Sequence, residues 1–171
     1  MIAVAWLAGC RRPDPAKELA VSGLEAYWVV DTPAGQTEYL APAVRFTVRN
    51  TTETPHRSLE ATAVFRREGE TDTWGSDWRR LAPSGKPLAP RQETLVVLKS
   101  DARYYSTGPP ESMFTHEKFR DVNAEVFVRL GSSPWHKVGQ LMVERRIGAK
   151  TVQQGAATSA PPDSLPEGRR D

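Results

Sequence analysis

The chain has 171 residues, with 23 basic and 21 acidic side chains and a formal net charge of +2. That length holds one domain with tails, and so even a charge balance excludes the strong basic field of a nucleic-acid binder. A single cysteine excludes an internal disulfide, so the domain must fold on its apolar core, and 14 prolines with 12 glycines argue for many turns and against long helices.

In chain order, a short apolar run from Ile2 leads into Leu7-Ala8-Gly9-Cys10. The order Leu, small, Gly, Cys resembles the bacterial lipobox, where a signal peptidase cuts before a cysteine that then carries acyl chains. The resemblance implies a lipoprotein signal peptide over residues 1–9 and lipidation, palmitate included, at Cys10. The run is too short to span a bilayer, which takes about 20 apolar residues. The anchor would be acyl burial, worth about 0.8 kcal/mol per methylene. A signal peptide carries basic residues before its apolar stretch. None precedes Arg11 here, so the true start is expected upstream of Met1. In the lipoprotein pattern, Asp after the acylated cysteine favours inner-membrane retention. Arg11 stands there, which implies a periplasm-facing location at the outer membrane ahead of the inner. Residues 10–21, with two prolines, are expected to form an extended tether.

From residue 22 to 148 the pattern is β. Leu24–Val30 reads as a first strand. Val44–Arg49 alternates Val44, Phe46 and Val48 against Arg45, Thr47 and Arg49, a strand with one buried and one wet face. Asn50-Thr51-Thr52 ends it with turn chemistry. Leu59–Arg66 alternates again, and Glu68-Gly69-Glu70 closes it. A short strand is expected over Trp78–Leu81. Leu95-Val96-Val97-Leu98 is a continuous apolar block that suits a strand covered on both faces. A long irregular connection from Asp101 to Lys118 contains a helical turn near Glu111–Phe119. Val122–Leu130 alternates, with Phe127 breaking its polar face so as to cap a sheet edge or contact a loop. Gly131-Ser132-Ser133-Pro134 is a turn, and Trp135–Ile147 is the final strand, paired with its predecessor as a hairpin. About seven strands in this span predict an all-β, two-sheet immunoglobulin-like β-sandwich. Residues 149–171 are rich in Ala, Ser, Pro and Gly and poor in large apolar residues, which predicts a disordered tail.

The run Phe46-Thr47-Val48-Arg49-Asn50-Thr51, the strand Leu59 to Phe65, Gly69, and Leu88-Ala89-Pro90-Arg91-Gln92 together resemble FxLYD-type and related bacterial immunoglobulin-like envelope domains. The resemblance covers roughly a third of the chain and lacks the Phe-x-Leu-Tyr-Asp run itself. It implies the fold class, and such families are mostly not enzymes.

Chemistry is sparse. His56, His116 and His136 lack metal-ligand spacing with each other or with cysteine, and read as surface or turn histidines. Ser106, His116 and Asp121 can be grouped, but no serine sits in a GxSxG elbow. Glu68 and Glu70 flank a turn glycine and read as solvated. No cofactor, metal or catalytic residue is expected. Trp28 and Trp135 read as structural, and Arg66, Arg67, Arg79 and Arg80 as exposed-face charges. Trp74, in the polar run Asp72 to Asp77, joins Trp78, Tyr104 and Tyr105 as a candidate binding patch, since a loop-held ring can stack on a sugar or anchor a partner. The function expected is a non-catalytic, lipid-anchored cell-envelope module that presents sandwich loops to another envelope protein. The alternative is a glycan-binding module for peptidoglycan or polysaccharide, which requires coplanar exposed rings. A third mode adds an extended partner as a strand to an unprotected sheet edge.

Overall fold

The structure is a computed structural model that describes residues 12–31, 38–82, 86–106 and 108–148. Cys10, residues 1–9 expected as a signal peptide, and residues 149–171 expected as a disordered tail lie outside the described residues. After the single-turn helix α1 (Pro15–Glu18) come β1 (Leu19–Asp31), β2 (Glu38–Asn50), β3 (Leu59–Arg67), β4 (Gly75–Arg80), β5 (Glu93–Lys99) and β6 (Tyr104–Ser106). A 3₁₀ turn (Pro110–Thr115), β7 (Val122–Leu130) and β8 (His136–Met142) complete the order. One antiparallel sheet runs β1-β2-β5, with β6 also on β2; the other runs β4-β3-β7-β8. Two sheets with consecutive strands divided between them in this order form an immunoglobulin-like β-sandwich, as the sequence predicts.

Alternation builds the core. Val44, Phe46 and Val48 of β2 face Leu59, Ala61, Ala63 and Phe65 of β3 and Val122, Ala124, Val126, Val128 and Leu130 of β7, all buried. Trp28 is fully enclosed at one end, where its ring meets Tyr104 at 5.8 Å, Phe114 at 6.1 Å and Phe119 at 5.3 Å. A second, smaller apolar set, Tyr27, Val29, Ala41 and Ala43, is buried on the opposite face of the β1-β2 sheet.

Several boundaries differ from the sequence reading. The tether does not extend to residue 21, because Asp14 caps α1 through Ala16 N–H (3.1 Å) and Leu19 is already in β1 opposite Asn50. β1 also outruns Leu24–Val30, continuing across a bulge between Ser22 and Glu25 where Gly23 takes φ +63. Proline in the middle of β2 obscured that strand. Pro42 sits where β2 changes partner from β5 to β6, so its missing N–H costs little. The last strand stops at Met142. The chain then crosses to the other sheet, and Ile147 bridges Trp28 in parallel. β5 is not covered on both faces: Val96 and Leu98 are buried, whereas Leu95 is 64% and Val97 38% exposed. His56 is not a surface histidine. Its backbone exchanges two hydrogen bonds with Leu88 (both 3.0 Å), and its ring is buried beneath Glu18 of α1 at 3.9 Å.

The two sheets meet along two seams. On one, Leu24 from the β1 bulge packs on Gly139 of β8, where a Cβ would overlap it. The segment after β8 completes that closure: Trp28 N–H donates to Arg146 O (2.9 Å) and Gly148 N–H to Trp28 O (2.8 Å). On the other, two aspartates stitch β4 to β5. Asp77 accepts from Lys99 N–H (3.0 Å), and Asp101 accepts from Ser76 N–H (2.8 Å). Among the described residues, no helix is long and apolar enough to cross a membrane.

Candidate binding face

The four aromatics expected as one patch are placed in three different settings. Trp74 is half-buried and stacks on Tyr104 with centroids 4.9 Å apart, the Arg67 guanidinium lying 5.7 Å from its ring. Both belong to the Trp28 aromatic cluster, and Tyr104 hydroxyl accepts from Arg120 N–H (3.1 Å). Alternation along β6 sends Tyr105 the other way. It is 57% exposed beside Tyr39, at 6.2 Å, in turn overlain by Arg103 at 3.9 Å. Tyr104 and Tyr105 do share one depression of about 340 Å³, closed by Met113, His116 and Lys118. Trp78 stands apart, 48% exposed on the outer face of β4.

That outer face is where a site assembles. The register places residues in rows across the four strands β4-β3-β7-β8. Thr62 of β3 has Trp78 on one side and Phe127 of β7 on the other, and Phe127 pairs with Lys137 of β8. One row along, Glu60 lies between Arg80 and Arg129. The Glu60 carboxylate is buried, and it is matched on both sides: Arg129 forks onto it, with Nε at 2.9 Å, and Arg80 comes within 3.7 Å. Each arginine then lies over a tryptophan. Arg80 is 5.8 Å from the Trp78 ring, and Arg129 is 4.5 Å from Trp135, itself 38% exposed. The result is a continuous chain, Trp78–Arg80–Glu60–Arg129–Trp135, crossing strands whose outer members are about 14 Å apart.

A second charged cluster, drawn from three successive register positions, adjoins the strip on the other side. Glu125 is bonded by Arg66 and by Lys137, which also reaches Gln140 at 2.8 Å. The Lys137 hydrogen bond, then that of Arg66, holds the Glu125 carboxyl below its usual range. Each charged group therefore contains two cations and one carboxylate, and the row of Trp78, Thr62 and Phe127 lies between Glu60 and Glu125. Rings and arginines around an apolar strip are the make-up of a protein-binding hot spot with a charged rim. Ion pairs that already fix the arginines reduce the side-chain entropy lost on docking.

Sequence reasoning singled out Trp78 and placed Phe127 on a polar face, but it read Trp135 as structural and did not connect Arg80, Glu60 and Arg129. Phe127 is the signal that could have led there: a large ring at a wet position of an alternating strand. Among the described residues, no group of three or more His, Cys, Asp or Glu is placed to hold a metal.

No family model matches the chain, and neither does any curated protein. Among solved structures, it is similar to a crystal structure of a protein from Archaeoglobus fulgidus at 13% identity, over 72% of this chain and 92% of that one, with a TM-score of 0.37. A likeness of that degree carries no argument about function.

Proposed function

We propose that this protein is a non-catalytic, lipid-anchored module of the bacterial cell envelope, and that it binds another envelope protein. The docking surface would be the outer face of β4-β3-β7-β8 rather than the loops. The Leu7-Ala8-Gly9-Cys10 run supports the anchor. The Trp78–Arg80–Glu60–Arg129–Trp135 chain carries the binding reading. Its tryptophan rings are overlain by guanidinium groups, which suits contact with a protein bearing carboxylates better than stacking on a sugar. The excess cation in each charged group favours the same kind of partner.

One experiment addresses both parts. The gene, with its upstream DNA, is expressed in a bacterium fed an alkyne-tagged fatty acid, and a photo-crosslinking residue is placed at position 127. The expected result is a fatty-acid label lost in Cys10→Ala, and one discrete crosslinked envelope protein. Trp78→Ala should weaken that capture about thirtyfold, the effect of a 2 kcal/mol hot spot. No label on the wild type would remove the anchor. A crosslink unchanged by Trp78→Ala and by Trp135→Ala would remove the binding face.

A further inference from the structure

Asp77 and Asp101 stitch β5 to β4 at its Lys99 end alone, and among the described residues its edge from Glu93 to Val97 is uncovered. β1 and β8 are bridged by Leu24 and by the crossing segment, and β4 is stitched by Asp101. On β5, Asn50 N–H donates to Gln92 O and Ser100 N–H to Pro42 O (both 2.9 Å). Even-numbered residues of the strand therefore face β2, and odd-numbered ones direct N–H and C=O away from it. Lys99 N–H is capped by Asp77. For Glu93, Leu95 and Val97 no cap exists among the described residues, and the Glu93 carboxylate has no partner there either. An open edge beside two exposed apolar side chains is the arrangement that pairs with another strand.

The strand itself says which. On the outer face, β5 reads Glu93, Leu95, Val97, Lys99. We infer that two copies of this chain pair through β5, antiparallel about a two-fold axis at Val96, joining their β1-β2-β5 sheets. In that register Leu95 exchanges two hydrogen bonds with Val97 of the other copy, and symmetry doubles them. The Glu93 carboxylate of each copy comes beside the Lys99 ammonium of the other at both ends, a side-chain contact alone, since Asp77 keeps the Lys99 N–H. Lys99 already holds Asp31 at 2.9 Å, but an ammonium has three donors and serves both carboxylates. A shift by one hydrogen-bonded step either way sets Glu93 against Val97 or Lys99 against Leu95. Parallel pairing in register sets Glu93 beside Glu93 and Lys99 beside Lys99, like charges against like. Only the two-fold register matches unlike charges and apolar pairs together. The dimer is independent of the lipid anchor and of the Trp78 face.

Sedimentation equilibrium of the full chain over about 1–300 µM, a range that covers weak specific association, tests this. The expected result is a monomer–dimer equilibrium. Leu95→Lys, at an exposed position, should keep the melting temperature and lose the dimer. Glu93→Lys and Lys99→Glu should each weaken self-association at least tenfold, while an equimolar mixture of the two restores dimers, since unlike charges then meet at both ends. A monomer throughout the range overturns the proposal, as does a dimer indifferent to Leu95→Lys. A mixture no more associated than either variant alone overturns the antiparallel register, and with it the proposal.

Discussion

Single side chains join parts of the molecule that the sequence keeps apart. Asn50 is fully buried and bonds in five directions. Its two Nδ2 hydrogens are shared among the carbonyls of Thr54 (2.8 Å), Ala89 (3.1 Å) and Leu88 (3.3 Å), and its Oδ1 accepts from Thr52 N–H and hydroxyl. Asn50→Ala should cost about 2–3 kcal/mol, the scale of a few net hydrogen bonds and a stranded carbonyl, seen as a lower urea midpoint. Asp121 adds a pH term. Its hydrogen bond to Arg145 lowers its pKa below the usual carboxylate range. The stabilisation is therefore present above that range and is lost as pH falls through the lowered folded value. The melting temperature should fall on acidification below about pH 4, and Asp121→Asn should flatten that fall. Asn50 was legible as a turn residue because Asn-Thr-Thr has local turn chemistry. Its contacts to residues 88 and 89 were not, since nothing local encodes them. His56 was misread for the same reason: its burial comes from α1 and from Leu88, both distant in sequence.

At the scale of elements, period-2 alternation made the strands legible and partner geometry set their ends. β3 and β7 fell where alternation placed them, β2 began well before Val44 because Pro42 interrupts its pattern, β1 continued across a bulge, and β8 ended early where the chain crosses to the other sheet. β5 was misjudged because four consecutive apolar residues fit a doubly covered strand as well as an edge strand with one apolar face turned outward. The β4–β5 seam depends on close approach. A Cβ on Gly75 would overlap Ser100 Oγ and the Ala102 side chain and come within 3.0 Å of Ala102 N. Backbone there cannot yield by a rotamer change, so Gly75→Ala should destabilise the fold by about 1–3 kcal/mol. Hydrogen exchange should locate the loosening at Ser76 and Lys99, whose N–H groups the seam protects.

Over the whole molecule, the core is assembled from pairings far apart in the chain. β3 and β7 join Leu59 to Leu130 and Arg67 to Val122, and each must form across a long loop. Such topologies fold on a timescale of about milliseconds to seconds, a range stopped-flow tryptophan fluorescence would resolve through the enclosure of Trp28. The fold class was readable because it needs only strand count and turns. The proposed binding face was not, because rows across a sheet exist only once the register is set. The segment after β8 has a mechanical consequence. It runs parallel to β1 beside Trp28, held by two backbone hydrogen bonds and by Gly148 pressed against Tyr27. The chain enters β1 at one end of the sandwich and leaves this segment heading toward the other. Tension between the two termini therefore pulls the pair in shear, so its bonds share the load and must fail together. A pull on this protein meets a clasp before it meets the core.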